Sequence, residues 1–175
     1  PEFAPLRRRL ESILAGLAGT GLGLIYGANP VPFIVTTAVG YQDYYEALLL
    51  DPEFVLEFQR RVWDWCLGEL DLALEYPVDV IRVGAVLCTK QGPMMSAEAL
   101  ARFEYPYLRE AVRRIHAKGR VALLHSDGDL GALLPDLVAM GFDVFHPVEP
   151  CGGAQDIVRL KARFGDRLVF WGGAI

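Results

Sequence analysis

An α/β fold built on a parallel sheet is what this sequence predicts, on three observations. Short apolar runs alternate with amphipathic stretches of helical period, helix start and stop residues punctuate those stretches, and polar residues gather where the apolar runs end. The 175 residues are 53% hydrophobic and 22% charged, enough apolar material for one domain with a sizeable core.

In chain order, LRRRL (6–10) is the densest basic patch and reads as the solvated face of a first helix. The first strand is predicted over GLGLIYG (21–27). A long helix follows, with Asp51 as its cap, Pro52 at the first helical position and Glu53 complementing the dipole. Val55, Phe58, Val62, Trp65 and Leu72 line one of its faces at helical spacing, and Pro77 stops it. Cys66 on that face reads as a small core residue. The second strand is VDVIRVG (78–84). After a loop, Ser96 caps AEALARF, Pro106 interrupts, and YLREAVRRIHAKG ends at Gly119. VALLHS (121–126) is the third strand. Asp129 is expected to cap the next helical segment, which resets at Pro135 and closes at Gly141. The fourth strand is DVFHPVE (143–149), a helix covers AQDIVRLKARFG, and RLVFWGGAI is the fifth strand.

Five strand–helix units at this spacing fit part of a (β/α)8 barrel, which needs eight units and ~250 residues. A doubly wound open sheet of five strands is the alternative. The chain stops directly after a strand with no helix to cover it, which favours the partial barrel. No internal repeat, low-complexity tract or linker interrupts the pattern.

Composition excludes some functions. A net charge of −5 and a pI near 5.2, with no extended basic run, argue against a nucleic-acid surface. No apolar run is long enough to span a bilayer and no signal-peptide pattern opens the chain, so no membrane partner is expected. Cys66, Cys88 and Cys151 are an odd, scattered set that suits a reducing cytoplasm better than a disulfide framework. The first residue is proline, which implies processing or a piece of something longer.

In a parallel α/β sheet, ligands bind outside the carboxyl ends of the strands. The second strand leads to Cys88-Thr89-Lys90-Gln91, the third to His125-Ser126-Asp127, and the fourth carries His146, Glu149 and Cys151. If these strands are neighbours, one mouth gathers His, Asp, Glu and two thiols, which are zinc ligands by type; a catalytic zinc keeps three protein ligands and one open position. Residues two apart on an extended segment point the same way, so His125 and Asp127 would reach one ion together, with Gly128 allowing a sharp turn. The plainer reading is a hydrogen-bonded histidine followed by an Asp-Gly turn. Glu149 reads either as a solvated loop carboxylate or as a general acid/base or substrate anchor. His146 shares a face with Val144 and Val148 and reads first as a packed histidine, with a mouth-facing role as the alternative. Arg82, inside VIRVG, must be paired or bind an anion, and an ion pair is the expected answer. Arg82, Lys90, Gln91, Ser126 and His146 are therefore the substrate-binding candidates, Glu149 and Asp127 the catalytic ones.

GPMMSAEALARFEYPYLREAVRRIHAKGRVALLHSDGDLGALLPDLVAMGFDVFHPVEP and RFGDRLVFWGGAI resemble the uroporphyrinogen decarboxylase superfamily. YGANPVPFIVTTAVGYQDYYEALLLDPEFV is similar to that family's segment from its fourth strand into the following helix. The resemblance covers nearly the whole chain from about residue 20 and implies a TIM barrel with the five strands here as the fourth to the eighth. Residues 1–175 would then be the C-terminal part of a single barrel domain, its first three strands and C-terminal tail absent. It also implies one of two chemistries. Decarboxylases of the family bind a many-carboxylate substrate through arginines and an aspartate from the first three strand ends, a region with no counterpart here. Zinc-dependent methyltransferases move a methyl group between a corrinoid protein and a thiol, with zinc held by a His-x-Cys pair after the sixth strand and a later cysteine. His125 matches that histidine, Asp127 stands where the first cysteine would be, and the later cysteine would lie beyond residue 175. A carboxylate in place of a thiolate hardens the site and shifts its preference toward other divalent ions. Cys151, following the neighbouring strand, is the candidate third metal ligand.

The leading expectation is metal-assisted methyl transfer on a methylated small molecule or methyl-corrinoid, with zinc on His125, Asp127 and Cys151 and a corrinoid protein as partner. The alternatives are a metal-free decarboxylase of a porphyrinogen or another acidic compound, in which Arg82 or Lys90 matters more than His125, and an inactive barrel fragment whose open sheet edges would favour a homodimer.

Overall fold

The computed structural model describes residues 3–28, 31–150 and 155–173. Five parallel strands form the sheet: β1 (Ile25–Ala28), β2 (Val80–Gly84), β5 (Val121–His125), β6 (Val144–Val148) and β7 (Val169–Gly172). They lie in the order β1-β2-β5-β6-β7, each beside its successor in the chain once the small hairpin of β3 (Cys88–Thr89) and β4 (Gly92–Pro93) is set aside. A doubly wound sheet reverses its strand order at a switch point and this one does not, so the sheet is a sector of a (β/α)8 barrel.

Helices cover one face of the sheet. α1 (Ala4–Leu17) precedes β1. Between β1 and β2 come α2 (Val31–Val39), α3 (Tyr41–Leu50) and α4 (Pro52–Ala73). α5 (Ala97–Phe103) and α6 (Tyr105–Ala117) join β2 to β5, α7 (Leu134–Met140) joins β5 to β6, and α8 (Ile157–Phe164) joins β6 to β7. Ile81, Val83, Ala122, Leu124 and Phe145 point into this layer and are 0–1% exposed. The opposite face carries Ile25, Val121, Val169 and Trp171, which are 37–58% exposed. Among the described residues no helix is long and apolar enough to cross a membrane.

The local signals act largely as their chemistry dictates. Asp51 accepts from the Phe54 N–H at 3.1 Å and Ser96 from the Ala99 N–H at 3.1 Å, each satisfying a donor that its helix leaves unpaired. Pro106 sits in the first turn of α6, where its missing N–H is harmless, so it starts a second helix beside α5. In α1, Arg7, Arg8 and Arg9 face solvent while Leu10 is buried.

Other expectations are corrected. The first strand begins four residues later than predicted, because the glycine-rich entry holds Leu22 69% exposed. Between β1 and β2 one helix was expected and three are present; β-branched VPFIVTTAV in α2 carries no helical signature of its own. The inward stripe of α4 runs through Val55, Gln59, Cys66, Leu70 and Ala73 rather than Trp65, which is 39% exposed against Phe3. Gln59 belongs to the core because its Nε2 donates to the Tyr44 hydroxyl at 3.0 Å. Burial pushes the Cys66 thiol up to about 12, as befits a packed thiol. Asp129 caps no helix: its carboxylate accepts from the Gly131 N–H at 2.9 Å, a turn that precedes α7 by several residues.

Two aspartates pin strand entries. Asp79, just before β2, accepts from the Leu24 N–H at 2.7 Å. Asp143, just before β6, accepts from the Ala122 N–H at 2.7 Å and lies 2.9 Å from His116 Nε2 on α6.

Candidate functional site at the strand ends

Parallel pairing sets the geometry of the mouth. The register aligns Gly27 with Arg82 and Leu123, and, one tier further along, Gly84 with His125 and His146. Partners in a parallel ladder present their side chains to the same face, so Arg82, His125 and His146 share the open face with Trp171. The Nδ1 atoms of His125 and His146 are 2.9 Å apart and their rings stack with centroids at 5.1 Å. One nitrogen must donate and the other accept, so a single proton lies between them. Trp171 packs on the outer side of His146, 4.8 Å between centroids. Burial first, then the Arg82 cation and His146, hold His125 below the ordinary imidazole value, against an opposing pull from Asp127.

His146 therefore stands in the mouth, which corrects its reading as packed core. The face it shares with Val144 is the open one, and a register shift between Phe145 and Val148 turns Val148 into the core on its own. Asp127 is exposed two residues beyond His125. Ser126, between them, is fully buried; its hydroxyl accepts from the Leu87 N–H at 3.4 Å and donates to the Asp127 carbonyl.

Glu149 is likewise committed to the loop. Its Oε2 accepts from the Gly128 N–H at 2.8 Å, its Oε1 lies 3.8 Å from Lys90 Nζ, and Gln155 Nε2 donates to the Gly128 carbonyl. Both polar groups of the Gly128 backbone are thus clamped from the far side of β6. Gly128 itself is indispensable: its φ is +89°, and a Cβ there would stand 2.6 Å from the Thr89 carbonyl oxygen. The Thr89 carbonyl also accepts from Asp129 N–H at 2.8 Å, so the β3–β4 hairpin and the His-x-Asp loop lock together.

Lys90 and Gln91 sit on the exposed tip of that hairpin. Cys88 is buried, packed within the hydrophobic core. Arg82 has no ion-pair partner among the described residues, contrary to the ion pair expected of it. Cys151 lies outside the described residues. For a metal, His125 and Asp127 are the donors in place; among the described residues no third His, Cys, Asp or Glu completes a set. Trp171 and Gln155 are the contributors that sequence reading missed. The first was legible from strand alternation once β6 and β7 were paired; the second carried no signal.

A cleft of about 350 Å³ between α1 and β1 is not part of this arrangement. Its polar groups are Arg9, Tyr26 and Glu69, and the last two already bond each other at 2.6 Å.

The family model described as Uroporphyrinogen decarboxylase (URO-D) matches residues 30–172. No curated protein matches the chain. A solved structure of a methyltransferase from Methanosarcina mazei superposes with a TM-score of 0.71 at 14% identity, covering 98% of this chain and 59% of its own. That likeness is one of fold, and the chain spans only 59% of that structure's length.

Proposed function

The chain belongs to the uroporphyrinogen decarboxylase family, and on that premise we propose that it forms the C-terminal part of a barrel enzyme that transfers a methyl group at this mouth with the help of a divalent metal. The observation that carries the reading is the 2.9 Å contact between His125 and His146. A metal-binding histidine typically has its second ring nitrogen tied to another group, which fixes tautomer and orientation. Here His146 ties Nδ1 of His125 and leaves Nε2 for another partner.

His125 and Asp127 would hold the metal, with Cys151 as the third ligand. Bound there, zinc or a harder divalent ion would act as a Lewis acid that activates the methyl acceptor. His125, held uncharged near neutral pH, keeps its lone pair available. Gly128, clamped by Glu149 and Gln155, fixes the Asp127 backbone, so Glu149 is a positioning residue in this reading rather than an acid catalyst. Trp171 shields one side of the imidazole pair from water. The methyl donor would be a methylated small molecule or a methyl-corrinoid on a partner protein.

Decarboxylation of an acidic small molecule is the second reading, favoured by one observation: an exposed Arg82 with no ion-pair partner among the described residues stands beside a proton-sharing imidazole pair, which suits carboxylate binding followed by protonation of carbon.

Elemental analysis of the full chain, alongside His125→Ala and Asp127→Asn, tests the first reading. The expected result is near-stoichiometric metal in the wild type and its loss in both variants. A folded wild-type protein that takes up no zinc, manganese or cobalt would overturn it in favour of the second.

A further inference from the structure

We propose that α3 is a pH-gated flap at the rim of the mouth, latched by the neutral carboxyl of Glu104 at the α5–α6 joint and released when that carboxyl ionises. The inference goes beyond the reading above and holds whichever reaction runs at the strand ends.

Placement comes first. α2 and α3 follow the exit of β1 and precede α4, the helix that returns to the entry of the parallel β2, so α3 lies on the side where the strands end. Its Tyr45 hydroxyl meets Met94 Sδ at 3.8 Å, just beyond the β3–β4 hairpin whose Thr89 carbonyl braces the His-x-Asp loop.

The hold on α3 is weak. Ten residues are too few for a helix to persist alone in water, so its order depends on docking. Tyr44 is its one buried residue, and no side chain caps its N-terminus. Leu49 and Leu50 are 84% and 83% exposed. α3 joins α2 at Gly40, whose φ of +93° glycine takes without strain, and joins α4 at Asp51. Short joints of this kind absorb the dihedral changes when a segment swings as a unit.

The latch is the second, independent observation. Glu104 is 3% exposed, and among the described residues no cation offsets its charge. The titratable groups that face it are the Tyr44 and Tyr45 phenols of α3, and α4 contributes the uncharged Gln59 amide, which donates to the Tyr44 hydroxyl at 3.0 Å. A carboxylate confined there would lack solvation, and burial pushes the carboxyl up to about 8. Water can reach it at the smallest cost by moving α3, because α4 and α6 are each fixed by several buried residues. The released group ionises near 4.5, so docking weakens as pH rises from there and levels off above 8. Between pH 6 and pH 8 the docking constant should fall about fiftyfold.

Hydrogen exchange of the full chain, read by mass spectrometry at pH 6, 7 and 8 and corrected for intrinsic amide rates, tests this. Residues 41–50 should lose protection about fiftyfold across that range relative to α6 and β5. Glu104→Gln should remove the pH dependence, and Glu104→Leu, which leaves no titratable group at the joint, should do the same. Protection of 41–50 that stays constant in the wild type, or that falls as far in either variant, would overturn the proposal. So would a loss shared equally by α6 and β5, which would mean that Glu104 governs global unfolding and no flap.

Discussion

Replacing Glu104 by glutamine should remove most of a pH-dependent instability. Glu104 occupies the joint between α5 and α6, is 3% exposed, and caps neither helix with its side chain. Burial pushes its carboxyl up to about 8, and its charge would face the Tyr44 and Tyr45 hydroxyls of α3, whose ionisation it further opposes. A carboxyl raised in the folded state contributes full stability below its unfolded value near 4.5, and that contribution is lost as pH rises toward 8. Between pH 5 and pH 8 the group is already ionised in the unfolded chain, whereas the native chain keeps its proton until the pH nears 8. At about 1.4 kcal/mol per pH unit, the loss is about 3 kcal/mol. Urea unfolding of wild type and Glu104→Gln at both pH values isolates the effect, because every other group titrates alike in the two proteins. The wild type should lose about 3 kcal/mol more than the variant between pH 5 and pH 8. Equal losses in both proteins would refute the assignment of a neutral buried acid.

Two further perturbations address the clamp behind the histidines. Gly128→Ala forces a methyl onto the Thr89 carbonyl at a left-handed backbone position and should lower stability by about 2 kcal/mol or more in thermal melts. Glu149→Ala leaves the Gly128 N–H without its acceptor and should destabilise by about 1–3 kcal/mol. Glu149→Gln, whose amide oxygen can still accept, should keep most of the stability and activity, whereas a general-acid role for Glu149 would make the glutamine variant as inactive as the alanine one.

Much of the fold was readable because its determinants are local. The caps at Asp51 and Ser96, the first-turn prolines and the short apolar runs each signal their element within a few residues. α2 and α3 were missed because VPFIVTTAV has no helical period, and Gln59 was passed over because its partner, Tyr44, lies on another helix. The site was harder for the same reason. That His125 and His146 share a proton depends on parallel register across a long crossover, which no window of sequence reveals. Ser126, Cys88 and Glu149 looked like mouth chemistry by residue type, and only burial and hydrogen bonding assign them to the core and to holding the loop.

The aspartate pins at the other end of the sheet bear on how freely the mouth can change. Asp79 and Asp143 fix where β1 and β5 enter relative to their neighbours, through bonds of 2.7 Å made far from the histidines. A slip of one residue would turn every side chain of a strand to the opposite face. With alignment secured at the entry, the exits are released from that duty, so a residue such as Asp127 can be exchanged for a thiol or an amide while His125 stays opposite His146. The sheet works as a fixed frame with a rewritable rim, and new chemistry can be introduced at the rim without redesigning the frame.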